Sequence, residues 1–134
     1  MPRTSPPSIA LASLAAGPIF LASTAAASLY LRLPRPVVVE PWQAASFVLM
    51  AMPAVIVGFL LSVLPNMIGS RLMVRAGAAL PWARAPVAWA ASGALMGGGL
   101  VGLTGAFSEP AAAFGLIATS ACCAAICRLS VCWD

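Results

Sequence analysis

The charged residues of this chain divide it into four long stretches that contain no charge. These stretches are 28, 30, 24 and 18 residues long, and they cover 4–31, 41–70, 85–108 and 110–127. A helix needs about 20 apolar residues to cross a hydrocarbon layer of about 30 Å, because each residue adds about 1.5 Å. A backbone in lipid must also satisfy its own hydrogen bonds, which favours helices over other structures. The pattern therefore predicts four membrane-spanning helices.

The composition excludes a small soluble domain. Hydrophobic residues make up 62% of the 134 residues and charged residues only 7%, and the mean hydropathy is +1.01. A soluble fold needs more polar surface than these residues can supply. We therefore predict an all-α fold, with residues 1–134 forming a single polytopic membrane domain, a bundle of four transmembrane helices.

Prolines, glycines and polar residues indicate where the helices begin and end. Ser5 is the expected cap of the first helix, and Gly77 is the expected stop after the second. Ser108-Glu109-Pro110 predicts a cap and a tight turn into the fourth helix, because proline at a first helical position loses no hydrogen bond. The predicted helices cover about 6–31, 42–75, 85–107 and 109–132.

The arginines predict the orientation of the bundle. An excess of positive charge marks cytoplasmic loops, and a cytoplasmic N-terminus leaves only Arg32 and Arg35 outside. The five arginines then on the inner side are Arg3, Arg71, Arg75, Arg84 and Arg128. We therefore expect both termini in the cytoplasm. The chain has no Lys and many Ala, Gly and Pro, a composition typical of GC-rich coding sequence, so we expect a bacterial cytoplasmic (inner) membrane.

The first apolar segment has a second interpretation. Arg3, the apolar stretch and the small residues Ala25 to Ala27 also fit a cleavable secretion signal. Gly17-Pro18 and the length of 28 uncharged residues favour a retained helix instead. Cleavage would leave three helices in the same orientation, so the arginines do not separate the two interpretations.

Small residues recur at every fourth position on three of the predicted helices. Such ridges allow membrane helices to approach closely, which matters because lipid tails provide no hydrophobic drive for association. The third helix has the best example, with Gly93-x-x-x-Gly97 beside Gly98-x-x-x-Gly102. Packing within one chain and packing between chains both fit the pattern. The residues expected to pack helices together are Ala90, Ala94, Gly98, Gly102, Ala106, Gly58, Ser62 and Gly115.

Four cysteines lie near the C-terminal end, at positions 122, 123, 127 and 132. Soft thiolates at such spacing can bind Cu(I) or Zn(II), which makes Cys122, Cys123 and Cys127 remote candidates for a metal site. The chain has no His and no CxxC spacing, however, and buried Cys also behaves as a small hydrophobe. We therefore expect free cysteines, with no metal and no cofactor.

The inventory of reactive side chains argues against an enzyme. The chain has no His, its only Asp is the final residue, and Glu40 and Glu109 lie in separate predicted outer loops. These residues supply neither a nucleophile–histidine pair nor a carboxylate dyad. The scattered arginines suit anionic lipid headgroups better than a nucleic acid. We expect membrane lipids as partners, and no nucleic acid.

Two functional interpretations follow. In the first, the protein acts through helix–helix association, either as a homo-oligomer or with a larger membrane protein. In the second, it forms an oligomeric channel or transporter for a small solute. Gly17-Pro18 and Gly97 to Gly99 interrupt the first helix of each half near mid-membrane, and paired interruptions can mark a binding site. Soft-metal handling through the cysteines of the fourth helix is a remote third.

Overall fold

A computed structural model describes residues 6–33, 40–105, 108–129 and 131. Within these ranges the chain forms four α-helices, each long and apolar enough to cross a membrane. A short 3₁₀ turn, Pro81–Arg84, separates the second helix from the third. The prediction of an all-helical chain with four such helices is confirmed for this part of the chain. The helices are α1 (Pro6–Arg32), α2 (Pro41–Ala79), α3 (Pro86–Thr104) and α4 (Pro110–Leu129).

α2 is longer than the sequence predicts. It passes through two internal prolines and through Gly77, which is buried, and it ends at Ala79. Leu80 is extended, with φ −128° and ψ 110°, because a residue that precedes proline avoids the helical region. The stop is therefore set by Pro81, and the predicted stop at Gly77 is wrong.

The turn between α3 and α4 also differs from the prediction. Gly105 adopts a left-handed conformation, with φ 68°, and its N–H donates to the Val101 carbonyl. The Ser108 hydroxyl donates to the Gly105 carbonyl at 3.5 Å, while the Glu109 carbonyl accepts the first hydrogen bond of α4, from the Ala113 N–H. Glu109 rather than Ser108 thus holds the cap position of α4. The expected cap Ser5 lies outside the described residues.

The helices lie side by side in the order α2, α1, α4, α3. α1 packs against both α2 and α4, and α4 packs against α3. Among the described residues, α2 meets α4 only over a short length and makes hardly any contact with α3. A cleft therefore opens between α2 and α3, with α4 at its floor.

α1 and α2 cross at two facing glycines. A β-carbon added to Gly58 would lie 2.6 Å from the backbone nitrogen of Gly17, and one added to Gly17 would overlap the Ala54 carbonyl. On the other side of α1, a β-carbon on Gly115 of α4 would lie 3.1 Å from the Phe20 ring. The structure thus places Gly58 and Gly115 at two close helix contacts, where missing side chains allow the backbones to approach.

α3 contacts α4 through a ridge one position away from the predicted one. Trp89, Gly93, Gly97 and Val101 are the buried residues of α3. The Trp89 indole N–H donates to the Ala83 carbonyl at 3.0 Å, and a buried indole needs such an acceptor, which fixes the side of α3 that faces inward. The correction is therefore a rotation of α3 that buries Trp89 and the two glycines that follow it.

The second half of the predicted ridge of α3, Gly98 and Gly102, consequently lies outside the contact with α4. In the described part of the chain, no atom of another helix lies within 4 Å of a β-carbon built on Gly98. Gly102 is exposed, whereas Ala90 and Ala94 are half-buried. Gly98 and Gly102 therefore do not pack α3 against another helix of the same chain, and Ala106 lies outside the described residues.

Candidate functional site: the α2–α3 cleft

The cleft between α2 and α3 contains a cavity of about 110 Å³. We call this space the α2–α3 cleft. Its walls consist mainly of small, hydroxyl-bearing and sulfur-bearing side chains, which come from α2, α3 and α4. The hydroxyl groups belong to Ser62, Ser70, Ser92, Thr119 and Ser120.

Most of these hydroxyl groups are occupied by backbone carbonyls of their own helix. Ser70 donates to Met67 at 3.1 Å, and Ser92 donates to Trp89 at 2.8 Å. Thr119 likewise donates to a carbonyl one turn earlier on α4, at 2.7 Å. A hydroxyl bonded in this way is satisfied at membrane depth without an external partner. These side chains therefore contribute to the cleft mainly through their small size rather than as hydrogen-bond donors.

Ser13 of α1 joins α1 to α2 next to the cleft. The Asn66 amide of α2 donates to the Ser13 hydroxyl at 3.2 Å, and the Ser62 hydroxyl donates to the Ser13 carbonyl at 3.4 Å. Cys123 of α4, a residue with a free thiol, lines the cavity together with Asn66. That thiol donates to the Ala12 carbonyl at 3.3 Å. Asn66 therefore joins α2 to α1 through Ser13, and Cys123 joins α4 to α1.

Four sulfur-containing residues are among those that line the same cavity, Met73, Met96, Cys123 and Cys127. Both cysteines are buried free thiols, whereas Cys122 is a free thiol on the exposed side of α4. Within the described residues, no three His, Cys, Asp or Glu side chains come together as a metal site. Met73 and Met96 were not predicted to line a site, because they lie on helices whose rotation the sequence leaves open.

The turn Pro81–Arg84 connects α2 to α3. The Arg84 guanidinium donates to the Gly77 carbonyl at 2.7 Å, and Arg128 of α4 donates to the Arg84 carbonyl. A cation beside the last carbonyls of a helix interacts favourably with the helix dipole. Two of the five arginines that are predicted for the inner side therefore connect the ends of α2 and α4 through the turn Pro81–Arg84.

The fold defines the class of this protein. It is an all-helical chain whose four long apolar helices are each able to cross a membrane. Comparison with protein-family models, with curated proteins and with solved structures finds no match to this chain. Its function is therefore inferred from the cleft and from the exposed helix faces.

Proposed function

We propose that this is a non-enzymatic integral membrane protein that works through helix–helix association, and that its partner is a second copy of the same chain. The observation that carries the proposal is the α2–α3 cleft. α2 and α3 stand apart over a floor formed by α4, so the four helices leave a position at which additional helix surface can pack.

The walls of the cleft carry small side chains, which leave room for large side chains of a neighbouring helix. Gly69, Ser92 and Ala124 present little volume at its surface. Small residues of this kind form the holes into which the side chains of a neighbouring membrane helix fit. Because lipid tails pack poorly into narrow recesses, filling the cleft with a helix gains dispersion contacts that lipid does not supply.

The rim of α2 offers the matching large side chains. Leu61, Ile68 and Leu72 are all more than half exposed, and their spacing of seven and four residues places them along one stripe, next to the cleft-lining Pro65. In a two-fold dimer the rim of each α2 enters the cleft of the other copy, and both clefts are filled by the same contact. This reciprocity favours a second copy as the partner.

Photo-cross-linking of the full chain in its membrane tests the proposal. A photoreactive residue at Ser92, inside the cleft, should give an adduct with the mass of two chains. The matched control is the same residue at Gly98, on a different face of α3, which should give none. If only the Gly98 variant gives a dimer, the interface lies on the side of α3 that carries Gly98 and Gly102, and dimerisation through the cleft is wrong. If the Ser92 variant gives an adduct with a different protein, self-association is wrong. If neither position reacts, association itself is wrong.

The cavity supports a second candidate, a channel or transporter for a small solute formed by several chains. Its volume of about 110 Å³ has room for a small molecule, and its walls carry hydroxyl groups. Uptake of a panel of small neutral and charged solutes into proteoliposomes tests this candidate. Transport abolished by Ser92→Trp, which fills the cavity, would favour it over simple association.

We also propose that both termini face the cytoplasm of a bacterial cell, across its cytoplasmic membrane. The contact between Arg128 and the turn that carries Arg84 supports this orientation, because it gathers positive charge at one end of the bundle. An excess of arginine at one end of a bundle orients membrane helices during insertion, with the arginine-rich end in the cytoplasm.

A further inference from the structure

We propose that the outward face of α2 binds an anionic phospholipid, whose phosphate group lies between Arg71 and Arg75. The acyl chains of this lipid lie along exposed apolar residues that precede the two arginines on the same helix. The inference rests on the membrane location proposed above, and it is independent of association between chains.

Arg71 and Arg75 share one stripe of α2 with two leucines. Leu60, Leu64, Arg71 and Arg75 follow one another at spacings of four, seven and four residues. These spacings place the four side chains on one face of a helix. Both leucines are 67% exposed, and both arginines are exposed as well. We call these four residues the α2 lipid stripe.

The length of the α2 lipid stripe matches the depth of one lipid leaflet. Arg71 follows Leu60 by 11 residues. At about 1.5 Å per residue this is about 17 Å, and half of a hydrocarbon layer of about 30 Å is about 15 Å. With Arg71 at the level of the headgroups, Leu60 lies near the ends of the acyl chains. The charged head and the apolar tails of a phospholipid therefore each meet residues of matching chemistry.

The acidic side chains of the described residues lie at the other end of the bundle. Glu40 precedes α2 and lies 31 residues before Arg71, about 45 Å away along the helix axis. Glu109 precedes α4, whose C-terminal end is joined to that of α2 through the turn Pro81–Arg84. Neither glutamate is therefore placed to neutralise the arginines of the α2 lipid stripe.

Two arginines one turn apart form a suitable site for a phosphate group. Their β-carbons lie about 5–6 Å apart, and like charges at this spacing repel each other. A phosphate between them offsets the repulsion, and guanidinium groups donate paired hydrogen bonds to its oxygen atoms. A zwitterionic lipid carries a cation of its own beside the phosphate, which weakens the attraction. The site should therefore select an anionic phospholipid over a zwitterionic one.

The other two described arginines near this end of the bundle hold the fold together. Arg84 donates to the Gly77 carbonyl at 2.7 Å, and Arg128 donates to the Val131 carbonyl at 3.4 Å. Because these guanidinium groups bind backbone carbonyls, the proposal rests on Arg71 and Arg75 alone.

Native mass spectrometry of the purified full chain in a neutral detergent tests the site. The probes are phosphatidylglycerol and phosphatidylcholine with identical acyl chains. The wild type should bind phosphatidylglycerol more tightly than phosphatidylcholine. Arg71→Gln and Arg75→Gln should each lower the affinity for phosphatidylglycerol by about fivefold, the effect of one arginine beside an anionic headgroup. The affinity for phosphatidylcholine should change much less.

Arg32→Gln is the matched control. Arg32 is an exposed arginine in the last turn of α1. Ser13 of α1 contacts Asn66 of α2. Gly17, further along α1, faces Gly58, which comes earlier on α2, so the helices are antiparallel and Arg32 lies at the far end. The control should bind phosphatidylglycerol as the wild type does. All three variants change exposed side chains and should keep the fold, which circular dichroism checks.

Four results would overturn the inference. They are equal affinity of the wild type for the two lipids, full affinity for phosphatidylglycerol in both arginine variants, an equal loss in Arg32→Gln, and displacement of the lipid by inorganic phosphate. Monomers and dimers differ in mass, so lipid binding is read independently of association. A chain that resists alkaline extraction from its membrane but has no lipid preference rejects only the lipid site. A chain released by that extraction rejects the membrane location itself.

Discussion

Glycine residues on α3 differ in what a side chain would meet at each position. A β-carbon on Gly93 would overlap the Ser120 carbonyl and would lie 2.8 Å from the Ala124 β-carbon. We predict that Gly93→Ala destabilises the protein by about 1–3 kcal/mol, the usual effect of overpacking a tight contact. Unfolding in mixed detergent micelles, followed by circular dichroism, measures the change.

Gly98 is the control for Gly93, since both are small helical residues of α3. A β-carbon there meets no other helix within the described chain, and alanine has the higher helix propensity, by about 1 kcal/mol in water. Gly98→Ala should therefore leave the monomer as stable as the wild type or slightly more so. Equal losses at the two positions would contradict the rotation of α3 described above.

Asn66 and Ser13 provide a test of hydrogen bonding between helices. We predict that Asn66→Ala and Ser13→Ala are coupled, because each removes one partner of the same 3.2 Å bond. Interhelical bonds in membranes contribute about 0.6 kcal/mol on average and up to about 1.7 kcal/mol. A double-mutant cycle on unfolding free energies measures that coupling.

Ser92 serves as the control in this cycle. Its hydroxyl donates within its own helix, to the Trp89 carbonyl, so Ser92→Ala should combine additively with Asn66→Ala. Additivity between Asn66 and Ser13 as well would mean that their bond contributes nothing measurable to stability.

The end of α3 depends on the left-handed conformation of Gly105. We predict that Gly105→Ala lowers stability by about 1–2 kcal/mol, because a β-carbon is unfavourable at positive φ. Gly102→Ala, one turn earlier and exposed on the same helix, should cost nothing. The same unfolding assay compares them, and a silent Gly105→Ala would show that α3 ends without this cap.

α2 is much longer than a bilayer requires. Its 39 residues span about 58 Å at about 1.5 Å per residue, against a hydrocarbon thickness of about 30 Å. In the membrane arrangement that we propose, the helix therefore tilts or extends beyond the lipid. Arg71 and Arg75, both exposed near its C-terminal end, mark the portion that we expect to lie beside the headgroups.

The orientation of the whole molecule is tested by reporter fusions. We predict that reporters after Ala79 and after Asp134 are cytoplasmic and that a reporter after Arg35 is external, because arginine is retained on the inner side. Activities of an externally active and an internally active reporter at each site give the answer. An external signal after Ala79 would contradict the arginine-based orientation.

The lengths of the uncharged stretches determined the helical class and the number of long helices from the sequence alone. Four uncharged stretches predict four helices because lipid cannot satisfy an unpaired backbone, and that requirement acts on each segment independently. The start of α4 at Pro110 lies within one residue of the prediction, since proline signals act within a few residues. The stop of α2 was misplaced because Pro81 acts more strongly than Gly77.

The rotation of each helix was decided only by tertiary structure. α3 carries two adjacent glycine ridges, and the sequence does not distinguish Gly93 and Gly97 from Gly98 and Gly102. The buried indole of Trp89 and its bond to Ala83 select the first pair. The α2–α3 cleft follows from that rotation, because it arises where separate helices meet, and periodicity within one helix carries no information about its neighbours.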